Sequence, residues 1–127
     1  AISLVSRSHF KFDAAARFAV KMAKHVIKHG LPKDTFLNVN VPNLDEEEIK
    51  SYKITRQGRW VHNGSGVIEK TDPRGKKYYW IGSGQFIFDQ KKDTDFSVVS
   101  NACISVTPLH LDLTNYGSIR LLRKWKI

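Results

Sequence analysis

Residues 37–42, which read Leu-Asn-Val-Asn-Val-Pro, constrain the fold more than any other part of the chain. Three apolar residues alternate with two asparagines, and the side chains of a β-strand alternate between its two faces with this same period. We therefore predict a strand that turns one apolar face towards a core. Pro42 has no backbone N–H, so it predicts the point at which the hydrogen-bond ladder of this strand ends.

The clearest helical pattern lies directly before this strand. Between residues 14 and 29, apolar residues recur at spacings of three and four, which is typical of a helix with one apolar face. Asp13 is predicted to cap its start, while Gly30 and Pro32 predict its end. A helix that leads into a strand is the usual unit of an α/β sheet, and α/β is the fold class that we predict. The apolar stripe comprises Ala15, Phe18, Ala19, Met22, Ala23, Val26 and Ile27.

The segments around this unit also have readable patterns. Residues 1–6 are apolar enough for a buried strand, and residues 52–57 are predicted to form another strand. The acidic residues 45–48 are expected to open a short helical turn, because negative charge is favourable at the start of a helix. Asp93-Thr94-Asp95 is expected to cap a brief helix that reaches Ser100.

From Gly58 onward the sequence predicts β-hairpins. Asn63-Gly64 is a turn signal, and residues 72–75 (Asp-Pro-Arg-Gly) have the residue preferences of a type I turn. The second turn is expected to join strands at 67–71 and 77–81, and residues 85–88 are expected to form a further strand. Tyr78, Tyr79 and Trp80 are consecutive, so both faces of their strand carry an aromatic ring, and both are expected to be covered by this chain or by another one.

The last residues of the chain have the pattern of a strand followed by an amphipathic helix. Residues 104–107 alternate up to Pro108, and leucines at 109, 111 and 113 alternate with polar residues. Thr114 is predicted to cap a helix whose apolar stripe is Ile119, Leu122 and Trp125. Such an ending can pack on the parent molecule or on a neighbouring subunit.

The composition limits the class of protein. A chain of 127 residues is one domain or a large part of one, and no apolar run reaches the ~18 residues of a membrane span. The single cysteine, Cys103, excludes an internal disulfide and suits a reducing compartment, so we expect a soluble cytoplasmic protein. The formal net charge of +9 favours anionic partners such as nucleotides, nucleic acid or an acidic protein surface. The chain opens in strand-like sequence without an initiator methionine, so we expect a piece of a longer protein.

Candidate catalytic and metal-binding residues are few. His25 and His29 lie four apart on the predicted helix, but they lie among lysines and are expected to be surface residues. Cys103 has no neighbour in the sequence that marks a base-activated thiol, and a buried structural cysteine is expected. Asp112 lies between leucines and is expected to have a hydrogen-bonded or charged partner.

The basic and aromatic residues of the second half leave two interpretations open. Arg56, Arg59, Trp60 and Lys76 would suit the stacking and neutralisation of a nucleotide or a nucleic-acid strand. Alternatively, a hairpin packs its own aromatic rings. Glycine-rich phosphate loops are not indicated, because neither Gly-Ser-Gly segment (64–66 and 82–84) is followed by a helical pattern.

Five stretches carry a family resemblance when they are taken together. They read LNVNVP at 37–42, TRQG at 55–58, DPRG at 72–75 with YWI at 79–81, TDF at 94–96, and SVTPL at 105–109 with LDLT at 111–114. In this order and spacing they resemble the C-terminal half of the SurE family, the survival-protein-E nucleotidases. The sequence departs from the family pattern at Asp93, Ala102 and Cys103.

The resemblance implies a Rossmann-like α/β fold, here its C-terminal portion, with projecting β-hairpins and a C-terminal strand plus helix. It implies a metal-dependent phosphatase of nucleoside 5′- and 3′-monophosphates that forms dimers or tetramers with exchange of the C-terminal segment. The family's divalent metal, Mg or Mn, is bound by residues of its N-terminal half, and no stretch here matches them. No catalytic, cofactor-binding or metal-binding residue is therefore carried over, and the chain alone is expected to be inactive.

Under this interpretation residues 1–57 form the end of the α/β core and residues 58–127 form a hairpin-rich oligomerisation region. The expected partners are nucleoside monophosphates and further copies of the chain, with no membrane. A basic nucleic-acid-binding module and a pure assembly module remain the alternatives. The residues expected to form subunit contacts are Tyr79, Trp80, Leu109, Leu111, Asp112, Leu113 and Trp125.

Overall fold

The computed structural model describes residues 1–63, 67–81, 85–88 and 91–126. The elements follow the chain as strands and three helices, with a 3-10 turn at Glu46–Glu48. In order they are β1 (Ile2–Val5), α1 (Asp13–His29), β2 (Thr35–Pro42), β3 (Ser51–Ile54), β4 (Trp60–Asn63), β5 (Val67–Thr71), β6 (Lys77–Ile81), β7 (Gln85–Phe88), α2 (Asp95–Ser100), β8 (Cys103–His110) and α3 (Tyr116–Leu122).

The main sheet has the strand order β1-β2-β8-β3. β1 is parallel to β2, whereas β8 is antiparallel to β2 and parallel to β3. Val39 of β2 lies between Ile2 of β1 and Val106 of β8, so three strands meet at one level. The predicted α/β fold is confirmed, and a strand from the last part of the chain lies in the middle of the sheet.

The core lies between this sheet and α1. Val39 and Val41 of β2 are buried against Ala15 of the helix and against Ile104 and Val106 of β8. Burial of such side chains is the main stabilising contribution in a domain of this size. The predicted apolar face of β2 is thus confirmed, and its ladder with β1 ends at Pro42 as expected.

Two details of α1 differ from the prediction. Asp13 is the first helical residue instead of the cap, and Phe12 precedes it without a side-chain capping bond. Ile27 is 85% exposed, so the apolar stripe is not continuous. The reason is geometric, because an advance of about 100° per residue places Ile27 roughly 140° from the direction of Met22, which packs on the core.

Strand β1 is less buried than its sequence suggests. Ile2 is 41% exposed and Val5 is 48% exposed, while Leu4 packs against the core. The prediction of a buried strand was wrong because β1 is the outermost strand of the sheet in the described residues. Apolar content does not by itself tell a central strand from an edge strand.

Strands β4 to β7 form a segment that we call the arm. β5 pairs with β6 in a hairpin, and β4 pairs with β7 on either side of it in the sequence. The predicted turn at 72–75 is confirmed, since Asp72 Oδ1 accepts hydrogen bonds from the N–H groups of Arg74 and Lys76. Gly75 has φ of 80°, which favours glycine. Gly64 of the predicted Asn63-Gly64 turn lies outside the described residues, as do residues 82–84.

The short helical turns are confirmed. Thr94 caps α2 by accepting from the N–H of Ser97 at 3.3 Å. In the acidic turn, the N–H of Asp45 donates to Glu48 Oε2 at 3.0 Å.

The end of the chain differs from the prediction in three ways. β8 continues through Pro108 to His110, while Leu111 and Leu113 are exposed and lie outside it. Asn115, not Thr114, caps α3 by accepting from the N–H of Ser118 at 3.0 Å. Trp125 follows the helix, which ends at Leu122. Side-chain hydrogen bonds of Asp112 explain the break, because they replace the pairing of an extended strand.

Residues 58–127 contribute both the arm and the central strand β8. The division of the chain at residue 57, with an oligomerisation role for residues 58–127, stays a prediction. Among the described residues, none of the helices has the length and apolar character needed to cross a bilayer.

Candidate functional site at the carboxyl ends of β1 and β2

The two parallel strands end side by side, with Val5 opposite Pro42. In open α/β sheets, ligands bind in the crevice outside the carboxyl ends of the strands. Residues 6–12 leave β1 at this edge, and residues 43–45 leave β2 there. These two loops are therefore the candidate site within the described part of the chain.

Asn43 joins the two loops. Its Nδ2 donates to Ser6 Oγ at 3.1 Å and to the carbonyl of His9 at 3.0 Å, and its Oδ1 accepts from the N–H of Lys11 at 2.9 Å. An asparagine amide offers both donors and an acceptor, so one side chain can fix a loop at several points. The loop after β1 is thus held to the end of β2.

The first loop is ordered by further local bonds. Ser6 Oγ donates to the carbonyl of Ser8 at 2.6 Å and accepts from the N–H of Ser8 at 3.2 Å. His9 has φ of 54°, a conformation that non-glycine residues adopt at a cost of about 1–3 kcal/mol. The Asn43 bonds to His9 and Lys11 offset that cost.

Two ion pairs lie across the same edge. Lys11 Nζ lies 2.7 Å from Asp45 Oδ2, and Arg17 Nε lies 2.6 Å from Glu46 Oε2. The hydrogen bond to Asp45 raises the pKa of Lys11, and the charges of Asp45 and Glu48 act in the same direction. All of these side chains are exposed, so their main effect is to set the geometry of the loops.

The loop after β1 also contains a pair of aromatic residues. Phe10 and Phe12 have ring centroids 5.8 Å apart and an interplanar angle of 24°, so the rings are stacked. A cleft opens beside them, and its lining includes Phe10, Lys11, Phe12, Arg17, Asp45 and Glu46.

These residues do not fit a divalent metal site. Magnesium requires several oxygen ligands in near-octahedral geometry. Asn43 Oδ1, Ser6 Oγ and Asp45 Oδ2 are engaged in the bonds described above, and among the described residues no three His, Cys, Asp or Glu side chains converge. We derive no step through a metal from these side chains.

The residues predicted as subunit contacts lie in two parts of the chain. Tyr79 and Trp80 are on β6 of the arm, and Trp80 is 61% exposed. Leu109 is half-buried near the end of β8. Leu111, Asp112, Leu113 and Trp125 are exposed and lie in the last part of the chain. Their role as contacts stays a prediction.

Asp112 has the partners that its position suggested. Its Oδ1 accepts from the N–H of Thr114 at 2.8 Å, and its Oδ2 accepts from the hydroxyl of Tyr116. The bonds from Thr114 and then from Tyr116 lower the pKa of Asp112 to about 2. Asp112 therefore holds the turn that leads into α3.

The basic residues considered for nucleic-acid binding lie in two places. Arg56 and Arg59 are in the segment between β3 and the arm, which together with residues 93–96 we call the junction, and Lys76 follows the hairpin turn. Arg56 Nε lies 2.9 Å from Asp93 Oδ2, and this hydrogen bond lowers the pKa of Asp93. Arg59 is exposed near this junction, and Lys76 follows the turn of the arm. The side chain of Trp60 lies outside the described set. Arg56 thus has a structural partner.

The junction also contains a buried acid that the sequence did not reveal. Asp95 is 7% exposed, and its Oδ1 accepts from the N–H groups of Gly58 at 2.8 Å and Phe96 at 2.9 Å. A Cβ on Gly58 would lie 2.6 Å from the Phe96 ring and 2.9 Å from Asp95 Oδ1, so any other residue there would displace one of these side chains. Asp95 was predicted only as part of a helix cap.

Three other predicted residues behave as expected. Cys103 is buried, and its Sγ lies 3.4 Å from Ser51 Oγ. His25 and His29 are exposed with ring centroids 6.0 Å apart.

The contacts of Asn43 were missed, and the only signal for them was a polar residue directly after a predicted strand.

Comparisons with known proteins place this geometry in a family. The family model described as Survival protein SurE matches residues 1–64. The 5'-nucleotidase SurE of Pelobacter propionicus is 50% identical over 126 residues, which are 98% of this chain and 51% of that protein. The 5'-nucleotidase SurE of Geobacter sulfurreducens is 48% identical over 128 residues, with 100% of this chain and 48% of that protein covered.

A solved structure shows the same fold. The crystal structure of the SurE protein from Aquifex aeolicus matches with a TM-score of 0.79 and 43% identity, and the match covers 97% of this chain and 49% of that one. The chain thus spans about half the length of the relatives it matches. On these grounds, and with the Rossmann-like α/β fold that was predicted, the chain belongs to the SurE family.

Proposed function

We propose that this chain is the C-terminal portion of a nucleotidase, a metal-dependent phosphatase that hydrolyses nucleoside 5′- and 3′-monophosphates. The observation that carries the proposal is the 50% identity with a protein named 5'-nucleotidase SurE across 98% of the chain. Identity of this extent supports a shared activity more strongly than a shared fold does, since one fold hosts many functions.

In this proposal the chain supplies scaffold and one wall of the active site. Asn43 holds the loop after β1 at the ligand-binding edge of the sheet, and the described residues offer no cation site. The metal, Mg²⁺ or Mn²⁺, is proposed to be bound by the part of the enzyme that corresponds to the other half of the relatives. The chain alone is therefore inactive.

The arm and the last part of the chain are proposed to form the contacts of a homodimer or homotetramer in the cytoplasm, with exchange of the C-terminal segment. Support comes from exposed large apolar side chains in both regions. Contiguous exposed apolar surface is typical of protein interfaces. These side chains include Tyr78, Tyr79, Trp80, Leu111, Leu113, Tyr116, Leu121 and Trp125.

Nucleic-acid binding is the alternative that we do not adopt. The net charge of +9 favours it, but Arg56 is ion-paired with Asp93 at the base of the arm. Salt-dependent binding of a single strand, together with no phosphatase activity in the test below, would favour that alternative.

A chimera tests the proposed activity. The C-terminal half of the Pelobacter propionicus enzyme is replaced by this chain, and hydrolysis of AMP is measured with Mn²⁺. We expect hydrolysis by the chimera and none by the chain alone under the same conditions. A folded chimera without hydrolysis would contradict the proposed activity, and hydrolysis by the chain alone would contradict the placement of the metal.

A further inference from the structure

Phe10 and Phe12 are large apolar side chains that a folded loop leaves in water. Phe10 is 57% exposed and Phe12 is 62% exposed, although their rings stack on each other. Exposed apolar surface of this kind is unfavourable unless something covers it. More than half of the surface of each residue is therefore open to a partner.

The position of this pair is fixed by the residue between the two rings. The N–H of Lys11 donates to Asn43 Oδ1, and Lys11 Nζ pairs with Asp45. The main chain between the two phenylalanines is therefore fastened to the end of β2. A pair held in this way loses little conformational freedom when it binds a ligand.

The residues around Phe10 and Phe12 indicate which kind of molecule could bind beside them. The lining of the cleft beside the rings also includes Asp45, Glu46 and Arg17. Aromatic faces stack on planar rings. Each carboxylate has about four acceptor sites, so Asp45 and Glu46 can accept hydrogen bonds from N–H and O–H groups in addition to their pairs with Lys11 and Arg17. A nucleoside has both a planar base and such donors.

We propose that Phe10 and Phe12 form the subsite for the base of the nucleoside monophosphate, with the cleft beside them receiving the sugar edge. The inference rests on the proposed nucleotidase function and names the part of the substrate that this chain binds. It follows from the place of the pair at the carboxyl edge of the parallel strands, where ligands bind in such sheets.

The first test uses the chain itself and a ligand without phosphate. The chain is titrated with adenosine and followed by two-dimensional amide NMR, with ribose as the reference. We expect adenosine, but not ribose, to shift the amides of residues 6–12 and 43–47. The double variant Phe10→Ala/Phe12→Ala should weaken adenosine binding at least about fivefold, since base–aromatic stacking contributes to that extent.

The control variant is Phe36→Ala, because Phe36 is a partly exposed phenylalanine at the opposite end of β2. It should bind adenosine as the unchanged chain does. Adenosine shifts that lie elsewhere, or that persist in the double variant, would overturn the proposal. Shifts of residues 10–12 with protein concentration alone would overturn it too, since the pair would then contact a second copy.

The second test uses the chimera and separates this subsite from the activity itself. The double variant should raise KM for AMP by at least about fivefold. For glycerol 2-phosphate, which has no base to bind at this subsite, both kcat and KM should be the same as in the unchanged chimera. An equal loss of kcat/KM on both substrates, or an unchanged KM for AMP, would reject the base subsite. Neither result would contradict the phosphatase activity of the chimera. An inactive chimera would reject the activity, and the adenosine titration would still decide the subsite.

Discussion

Asn43 shows how one amide can organise the loops at the carboxyl ends of two parallel strands. It contacts Ser6, His9 and Lys11, three residues that lie more than 30 positions away in the sequence. The bonds reach both main-chain and side-chain groups, so no single substitution in the loop would replace them. The conformation of residues 6–12 therefore depends on a residue in another loop.

Replacing Asn43 by alanine is expected to lower the free energy of unfolding by about 1–3 kcal/mol, because polar groups of the loop lose their partner. Urea unfolding followed by circular dichroism measures this change. Asn101→Ala, which removes one exposed bond to the carbonyl of Ser97, should have a smaller effect. Equal effects of the two variants would contradict the organising role of Asn43.

Asp112 is expected to make the turn before α3 sensitive to acid. Its pKa is about 2 in the folded state against an ordinary value of 3.8, so the ionised form is favoured by folding. The contribution of the ionised Asp112 carboxylate to folding stability is complete above about pH 4, and it is lost as the pH falls through about 2. NMR of the Thr114 and Tyr116 amides should show a transition near pH 2.

The variant Asp112→Asn is the control for that titration. It keeps an oxygen that can accept from Thr114 but has no carboxyl proton to bind. The transition of the Thr114 amide near pH 2 should be absent. If it persists, another acid is responsible for the pH dependence.

At the scale of elements, the sequence predicts what local signals determine. The helix α1, the strand β2 and the turn at 72–75 each depend on residues within a few positions, and all three are confirmed, although the apolar stripe of α1 ends before Ile27. The order of strands in the sheet does not depend on such local signals. β8 enters the sheet between β2 and β3 through contacts between residues that are distant in the sequence. The pairing of β4 with β7 and the burial of Asp95 were unpredictable for the same reason.

The uneven burial of α1 gives a stability prediction. Phe18 packs against the core and against the ring of Tyr52, with centroids 5.8 Å apart, but it is only half-buried. Phe18→Ala should therefore cost about 2–3 kcal/mol, below the range of about 3–5 for a fully buried phenylalanine. Ile27→Ala, on the exposed side of the same helix, should change stability by less than about 0.5 kcal/mol. Thermal unfolding compares the two, and a larger loss for Ile27→Ala would contradict the packing of α1.

At the scale of the whole molecule, apolar side chains remain exposed at both ends of the region 58–127. Trp80 lies in the arm, and Leu113, which is 93% exposed, lies before α3. Exposed apolar surface of this kind is typical of a surface that another chain or another chain segment covers. Subunit contacts through these side chains stay a prediction, and a deletion tests it.

Deleting residues 114–127 is expected to lower the oligomeric state, because it removes α3 and Trp125 together. Light scattering measures the mass. The control replaces two exposed cations of the same segment, Arg120→Ser with Lys124→Ser, and should leave the mass unchanged. An unchanged mass after the deletion would refute the assignment of this segment to subunit contacts.

The base of the arm is closed by main-chain bonds. The N–H of Arg56 donates to the carbonyl of Asp93, and the N–H of Asp95 donates back to the carbonyl of Arg56. The chain segments before and after the arm are thereby joined by bonds that involve no residue of β4 to β7. The length of the arm could therefore change without loss of these two bonds, because neither of them involves a residue of β4 to β7.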